Sequence, residues 1–77
     1  MYLVYAIKSL KKKYIYVGMT NNLERRLLQH NLGKGKATKP YAPFKLIYTE
    51  KFKTRVEARI KEKYLKQGDG KRFLNSL

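Results

Sequence analysis

Five side chains in this 77-residue chain have the types and spacing to act together: Tyr5 and Tyr16 in two apolar segments, Arg26 and His30 four residues apart, and Glu62 further on. Hydrolysis of a phosphodiester needs a cation on its oxygens, a group that takes a proton from water, and donors aimed at the developing charge. A Glu-held Mg²⁺, a phenol and an arginine suit those roles. Other chemistries fall away. There is no cysteine, hence no thiolate nucleophile, disulfide or zinc finger, and one histidine cannot build a multi-His metal site. Five acidic residues spread along the chain are too few for a two-metal centre, so any metal rests on one carboxylate. Ser9 and Ser76 stand in no nucleophile elbow, and Gly33-Lys34-Gly35-Lys36 lacks the spacing of a phosphate-binding P-loop.

The charge names the class of partner. Nineteen Lys plus Arg against five Asp plus Glu give a net charge of +14, which calls for a polyanion. A nucleic acid, DNA or RNA, fits that description. Lys34, Lys36 and Lys39, on a segment with Tyr41, can track a phosphate backbone and stack a base, and Lys66 adds a cation beside Glu62. Binding of this kind falls steeply with salt. A hydrophobic content of 43%, with seven tyrosines and three phenylalanines, is too apolar for a disordered basic tail, so a single small domain over 1–77 with a real core is expected. The apolar opening, Met1 to Ile7, is too short for a membrane span or a signal peptide, which makes a cytoplasmic protein without a membrane partner the expectation.

The elements that must position these groups can be read from pattern. Tyr2 to Lys8 and Lys13 to Gly18 read as two strands of a hairpin. A turn centred between Leu10 and Lys11 sets Tyr5 opposite Tyr16, with both phenols on one face. A helix follows from about Asn22 to Leu32, with Asn21 and Glu24 as a capping box. Leu23 and Leu27 form its apolar centre, Arg26 and His30 lie half-buried at the edge, and Arg25 and Gln29 point outward. Gly33 to Pro43, with both prolines, reads as a flexible basic surface loop. Phe44 to Phe52 gives a third strand. Thr54 and Glu57 cap a second helix carrying two apolar stripes, Val56, Ile60 and Tyr64 on one and Ala58 and Leu65 on the other, with Glu62 beside the latter. That helix is expected to stop at Gly68-Asp69-Gly70, before a short terminal helix from Lys71 that packs Phe73 and Leu74 onto the domain. The order is ββαβαα, an α+β fold with a three-stranded antiparallel sheet and all five chemical side chains facing it.

Leu3-Val4-Tyr5, Tyr16-Val17-Gly18 eleven positions on from tyrosine to tyrosine, Arg26, His30, and Glu57-Ala58 with Glu62 five residues after Glu57 together resemble the GIY-YIG nuclease family. The resemblance spans nearly the whole chain. In length, and in its Leu65 to Leu74 ending, the chain is similar to the small excinuclease-C-like proteins of that family, others of which serve homing and excision repair. The resemblance implies a divalent-metal-dependent endonuclease acting on DNA, in repair or recombination. It implies Tyr5 as general base, Tyr16 as a group that orients water or phosphate, and Arg26 as the cation on the scissile phosphate. It implies His30 as a partner of the leaving group or of the motif tyrosine, and Glu62 as the sole protein ligand of one Mg²⁺ or Mn²⁺. Leu3 stands where the family carries glycine, a position whose side chain is not chemical, so altered packing and retained activity are expected. With no added DNA-binding domain in view, specificity would come from loops, a dimer, DNA structure or a protein partner.

Each residue alone also has an ordinary structural reading. Tyrosine is favoured in strands, a helix edge is often charged, Glu62 can pair with Lys66 at i,i+4, and Glu57 serves as a cap. The rival to the nuclease is therefore a non-catalytic basic nucleic-acid-binding module on the same fold. A retained Glu62 argues against it, because a carboxylate near a phosphate site repels the phosphate unless a cation lies between them.

Overall fold

The computed structural model describes residues 1–77 and has the expected order: β1 (Tyr2–Ser9), β2 (Ile15–Thr20), α1 (Leu23–Asn31), a 3₁₀ turn (Lys39–Tyr41), β3 (Phe44–Phe52), α2 (Arg55–Leu65) and α3 (Gly68–Asn75). The strands form one antiparallel sheet in the order β2-β1-β3. β1 takes the centre because both of its side-chain rows are apolar: Val4, Tyr5, Ala6 and Ile7 are all fully buried. The sheet thus divides the core in two. Val4, Ala6 and Val17 pack with Ala58, Leu65 and Leu74 of α2 and α3. Tyr5, Ile7 and Phe44 pack on the other face with Tyr14, Tyr16, Leu23 and Leu27.

The hairpin register differs from the sequence expectation. Tyr5 pairs with Gly18 and Tyr16 with Ile7, two residues away from the expected match. The turn is longer than two residues because Ser9 organises it: its hydroxyl accepts from the amides of Lys11 and Lys12, both at 3.1 Å. A two-residue shift keeps every side chain on its face, whereas a shift of one would have inverted them. Tyr5 and Tyr16 therefore still share a face, with ring centroids 6.3 Å apart.

Three further expectations are corrected. The α1 cap is Asn22, whose side chain accepts from the Arg25 amide, so Glu24 lies in the first turn and is not the capping-box partner. The Val56, Ile60 and Tyr64 stripe of α2 is left in solvent, at 69%, 65% and 44% exposure, while Ala58 and Leu65 are fully buried. Only the side carrying small Ala58 lets the helix axis approach the sheet. Gly68-Asp69-Gly70 does not interrupt the helices but forms the first turn of α3. Leu74 is buried as expected, whereas Phe73 is 41% exposed and meets Tyr48 edge-on.

Gly70 explains how α2 and α3 turn so tightly. A Cβ there would lie 2.5 Å from the Leu65 Cα and press on the Tyr64 carbonyl, backbone atoms that cannot rotate away. Gly→Ala inside a helix normally gains about 1 kcal/mol. Here overpacking against backbone costs about 3 kcal/mol and wins. Gly70→Ala is expected to lower the Tm by about 10 °C, read by far-UV circular dichroism; a rise would refute the close approach.

Candidate active site

Four of the five expected residues meet on the α1 face of the sheet. The buried Tyr5 hydroxyl lies 2.9 Å from Nε2 of His30, which is 3% exposed. The other ring nitrogen, Nδ1, lies 2.9 Å from the Thr38 hydroxyl. The Tyr16 ring is tilted over His30 with centroids 5.0 Å apart. Arg26, one helical turn before His30, is half-buried and donates to Gln29 Oε1 at 3.1 Å. Gln29 is thus held inward, and only Arg25 of the two residues expected to point outward is exposed. Arg26, Gln29, His30, Lys34 and Gly35 line a small cleft of about 170 Å³ with no acidic residue in its wall.

Two glycines make the hydrogen-bonded chain possible. A Cβ on Gly18 would stand 2.5 Å from the Tyr5 hydroxyl, so the glycine is the space in which the phenol sits. A Cβ on Gly35 would stand 2.6 Å from Thr38 Oγ1. Thr38 escapes a sequence reading because nothing local distinguishes it in a basic loop. Folded, it is 1% exposed and holds His30 from behind.

The 33–43 segment is more tightly held than a flexible finger. Ser9 Oγ donates to the Tyr41 carbonyl at 2.6 Å, and the Tyr41 ring stacks on Tyr14 at 3.9 Å between centroids. One face of Tyr41 is therefore spent on Tyr14, while Lys12 lies 5.5 Å from the ring centroid. Asn31 Oδ1 accepts from the Phe44 amide at 2.7 Å and joins the end of α1 to β3. Lys34, Lys36 and Lys39 remain exposed.

Glu62 comes from the opposite layer. Its helix packs against β1 and β2 from the α2–α3 side, so it does not share a face with the other four. Its side chain is 14% exposed, with Lys66 Nζ at 3.5 Å and Arg59 Nε at 4.0 Å. It still acts on the phenol: burial pushes the Tyr5 pKa above 10.0 against the lowering effect of Arg26, and the charges of Tyr16 and Glu62 push it further up. Burial, aided by Arg26, holds the His30 pKa below 6.5.

Both shifts favour uncharged forms, so pH dependence of stability has a definite sign. The His30 contribution is complete above about pH 6.5 and is lost as pH falls through the lower folded value. The Tyr5 contribution is present below pH 10.0 and is lost as pH rises through the folded value. Melting temperature measured against pH is expected to show an acid limb beginning near 6.5, flattened in His30→Gln. An unchanged limb would assign it to other groups.

No three acidic or histidine side chains converge on one point. A cation there would be held by the Glu62 carboxylate with water and phosphate filling most of its shell, a binding mode that suits Mg²⁺. The two flanking cations at Glu62 are more exposed than it is and can swing away. The residues present thus fit such an ion.

Residues 1–75 match the model of the GIY-YIG catalytic domain. The UPF0213 protein CPE1444 of Clostridium perfringens is 45% identical over 65 residues, 83% of this chain and 69% of that protein. The UPF0213 protein BLi00048/BL00536 of Bacillus licheniformis is 50% identical over 54 residues, 69% of this chain and 56% of its own length. The UPF0213 protein VPA1222 of Vibrio parahaemolyticus is 42% identical over 65 residues, with 83% of this chain and 60% of the relative covered. The chain thus spans little more than half the length of some of these relatives. No solved structure matches. No helix is long and apolar enough to cross a membrane. With two tyrosines, an arginine and a histidine on one sheet face, a glutamate on the helix behind it, and a domain match over 1–75, the chain belongs to the GIY-YIG family, whose fold is in general that of nucleases.

Proposed function

We propose that this protein is a divalent-metal-dependent endonuclease that hydrolyses DNA phosphodiester bonds, with Tyr5, Tyr16, Arg26, His30 and Glu62 as its site and DNA repair or recombination as its setting. The observation that carries the reading is the continuous chain from Tyr5 through His30 to Thr38, with Tyr16 packed beside it. A raised Tyr5 pKa leaves little phenolate near neutrality, so Tyr5 needs somewhere to send its proton. His30 Nε2, 2.9 Å away on a ring held neutral, is that acceptor. In this assignment Nδ1 carries the ring proton and donates to Thr38.

Tyr5 is fully buried, so the cleft beside Arg26 and Gln29 must open for the attacking water to reach it; the water proton then moves to the Tyr5 oxygen while the phenolic proton passes to His30 Nε2. The water oxygen bonds to phosphorus as the bond to the leaving sugar oxygen breaks; that oxygen takes a proton from solvent, and His30 gives up its own to restore the neutral pair. Arg26, at the mouth of a cleft that also holds Lys34, neutralises phosphate oxygens. Tyr16 lies against His30 and can hold the water or a phosphate oxygen. Glu62 would hold one Mg²⁺ or Mn²⁺, which stabilises charge on the phosphate and the leaving oxygen. The lysines of the 33–43 loop and Lys66 extend the contact along the backbone.

Labelled supercoiled, linear and branched DNA incubated with Mg²⁺, Mn²⁺ or EDTA tests the proposal, with Glu62→Gln as the control for contaminating nuclease. Metal-dependent cutting that the variant lacks is the expected result. Salt-sensitive binding with no cutting of any substrate would favour the rival module.

A further inference from the structure

A second cavity shares only Tyr16 with the cluster just described. About 840 Å³ in volume, it runs along the outer edge of β2 toward α2 and α3, and its polar wall includes Lys8, Lys13, Lys66, Lys71 and Asn75 beside Tyr14 and Tyr16. β2 pairs only with β1, so one side of its backbone is free of sheet partners at this edge. No acidic residue lines the cavity. Lys66 is near Glu62, but Lys8, Lys13 and Lys71 have no ion-pair partner. Unpaired cations gathered on one concavity favour an anion with several charges.

Tyr16 connects this groove to the catalytic cluster, because it lines the groove and packs on His30. Lys66 connects it to Glu62. Tyr14, braced by its stack on Tyr41, supplies a rigid aromatic wall. A cationic groove with aromatic side chains is the arrangement that holds a single nucleic-acid strand, by phosphate pairing and base stacking. The volume is that of a cleft for a few linked rings.

We infer that the groove along the β2 edge, with Lys8, Lys13, Lys66 and Lys71, seats a single-stranded segment of substrate next to the scissile phosphate. This deepens the nuclease reading and rests on it for the position of that phosphate. It makes the substrate class one that carries a single-stranded arm beside the cut.

Anisotropy of a labelled oligothymidine of about 12 nucleotides, against a duplex of equal length and an oligouridine, tests this without any cleavage. Measured from about 50 to 200 mM salt, Lys13→Ala/Lys71→Ala is expected to weaken single-strand binding about tenfold and to flatten the log–log salt slope by about 1.4. Duplex binding should change much less, and the oligouridine shows whether the strand can equally be RNA. Lys51→Ala/Lys53→Ala removes the same charge at the end of β3, the opposite edge of the sheet, and should leave the slope near that of the unaltered protein. Equal effects of the two double variants, equal losses on strand and duplex, or displacement by polyglutamate as readily as by oligothymidine would each overturn the groove. Cleavage that fails on every substrate while the Lys13/Lys71 effect persists would sink the nuclease reading and keep the groove.

Discussion

Tyr5→Phe is expected to lower the cleavage rate by about 10²- to 10⁴-fold, the range supplied by positioned proton transfer. The substitution deletes one oxygen from a fully buried ring, and that oxygen is the hydrogen-bond partner of His30 Nε2 at 2.9 Å. Ring packing against Tyr16 and into the space left by Gly18 is retained. The buried His30 nitrogen then lacks a partner, which costs about 1 to 3 kcal/mol and lowers the Tm by several degrees without unfolding the protein. Cleavage and melting measured on one preparation separate the two effects. A folded variant that cuts at the original rate would remove the general-base role from Tyr5 and leave Tyr16 or solvent hydroxide to supply it.

Glu62→Gln is expected to abolish metal-dependent cleavage while DNA affinity stays equal or tightens. The amide has the shape of the carboxylate but not its charge, and no group of three acidic or histidine side chains exists to hold the cation in its place. Its pairings with Arg59 and Lys66 involve side chains that are 58% and 54% exposed, so they contribute at most a few tenths of a kcal/mol and the Tm should hardly move. Loss of a negative charge beside a bound phosphate removes a repulsion, which is why binding should not weaken. Cutting assays in Mg²⁺ and Mn²⁺, paired with anisotropy in EDTA, read both effects. A variant as active as the original protein would show that the metal is held elsewhere.

How far the sequence reaches is clearest at particular residues. Alternating and helical apolar patterns, the Thr54 cap and the turn residues are local signals, and they determined the element order and the three-stranded α+β class. The face shared by Tyr5 and Tyr16 was legible because a two-residue period survives a two-residue slip in register. The slip itself was not legible, since it depends on Ser9 hydroxyl contacts across the turn. α2 offered two apolar stripes of similar promise, and only the sheet chose between them. Ala58 allows close approach, whereas the Val56, Ile60 and Tyr64 side stays in water. Gly70 resembles a helix stop until α3 is laid against the end of α2, where it becomes the one residue without a clash. Thr38 gains its role from His30, eight residues back along the chain, and the lysines of the β2 groove gain theirs by coming from four separate segments, β1, the hairpin turn, the end of α2 and α3. The sequence by itself therefore determined which residue types were present, their spacing and the chain's strong positive charge. Tertiary structure alone decided which polar groups share a buried hydrogen bond, that Glu62 sits in the opposite layer, and where unpaired lysines converge. Those are distances between remote segments, and no local pattern encodes them.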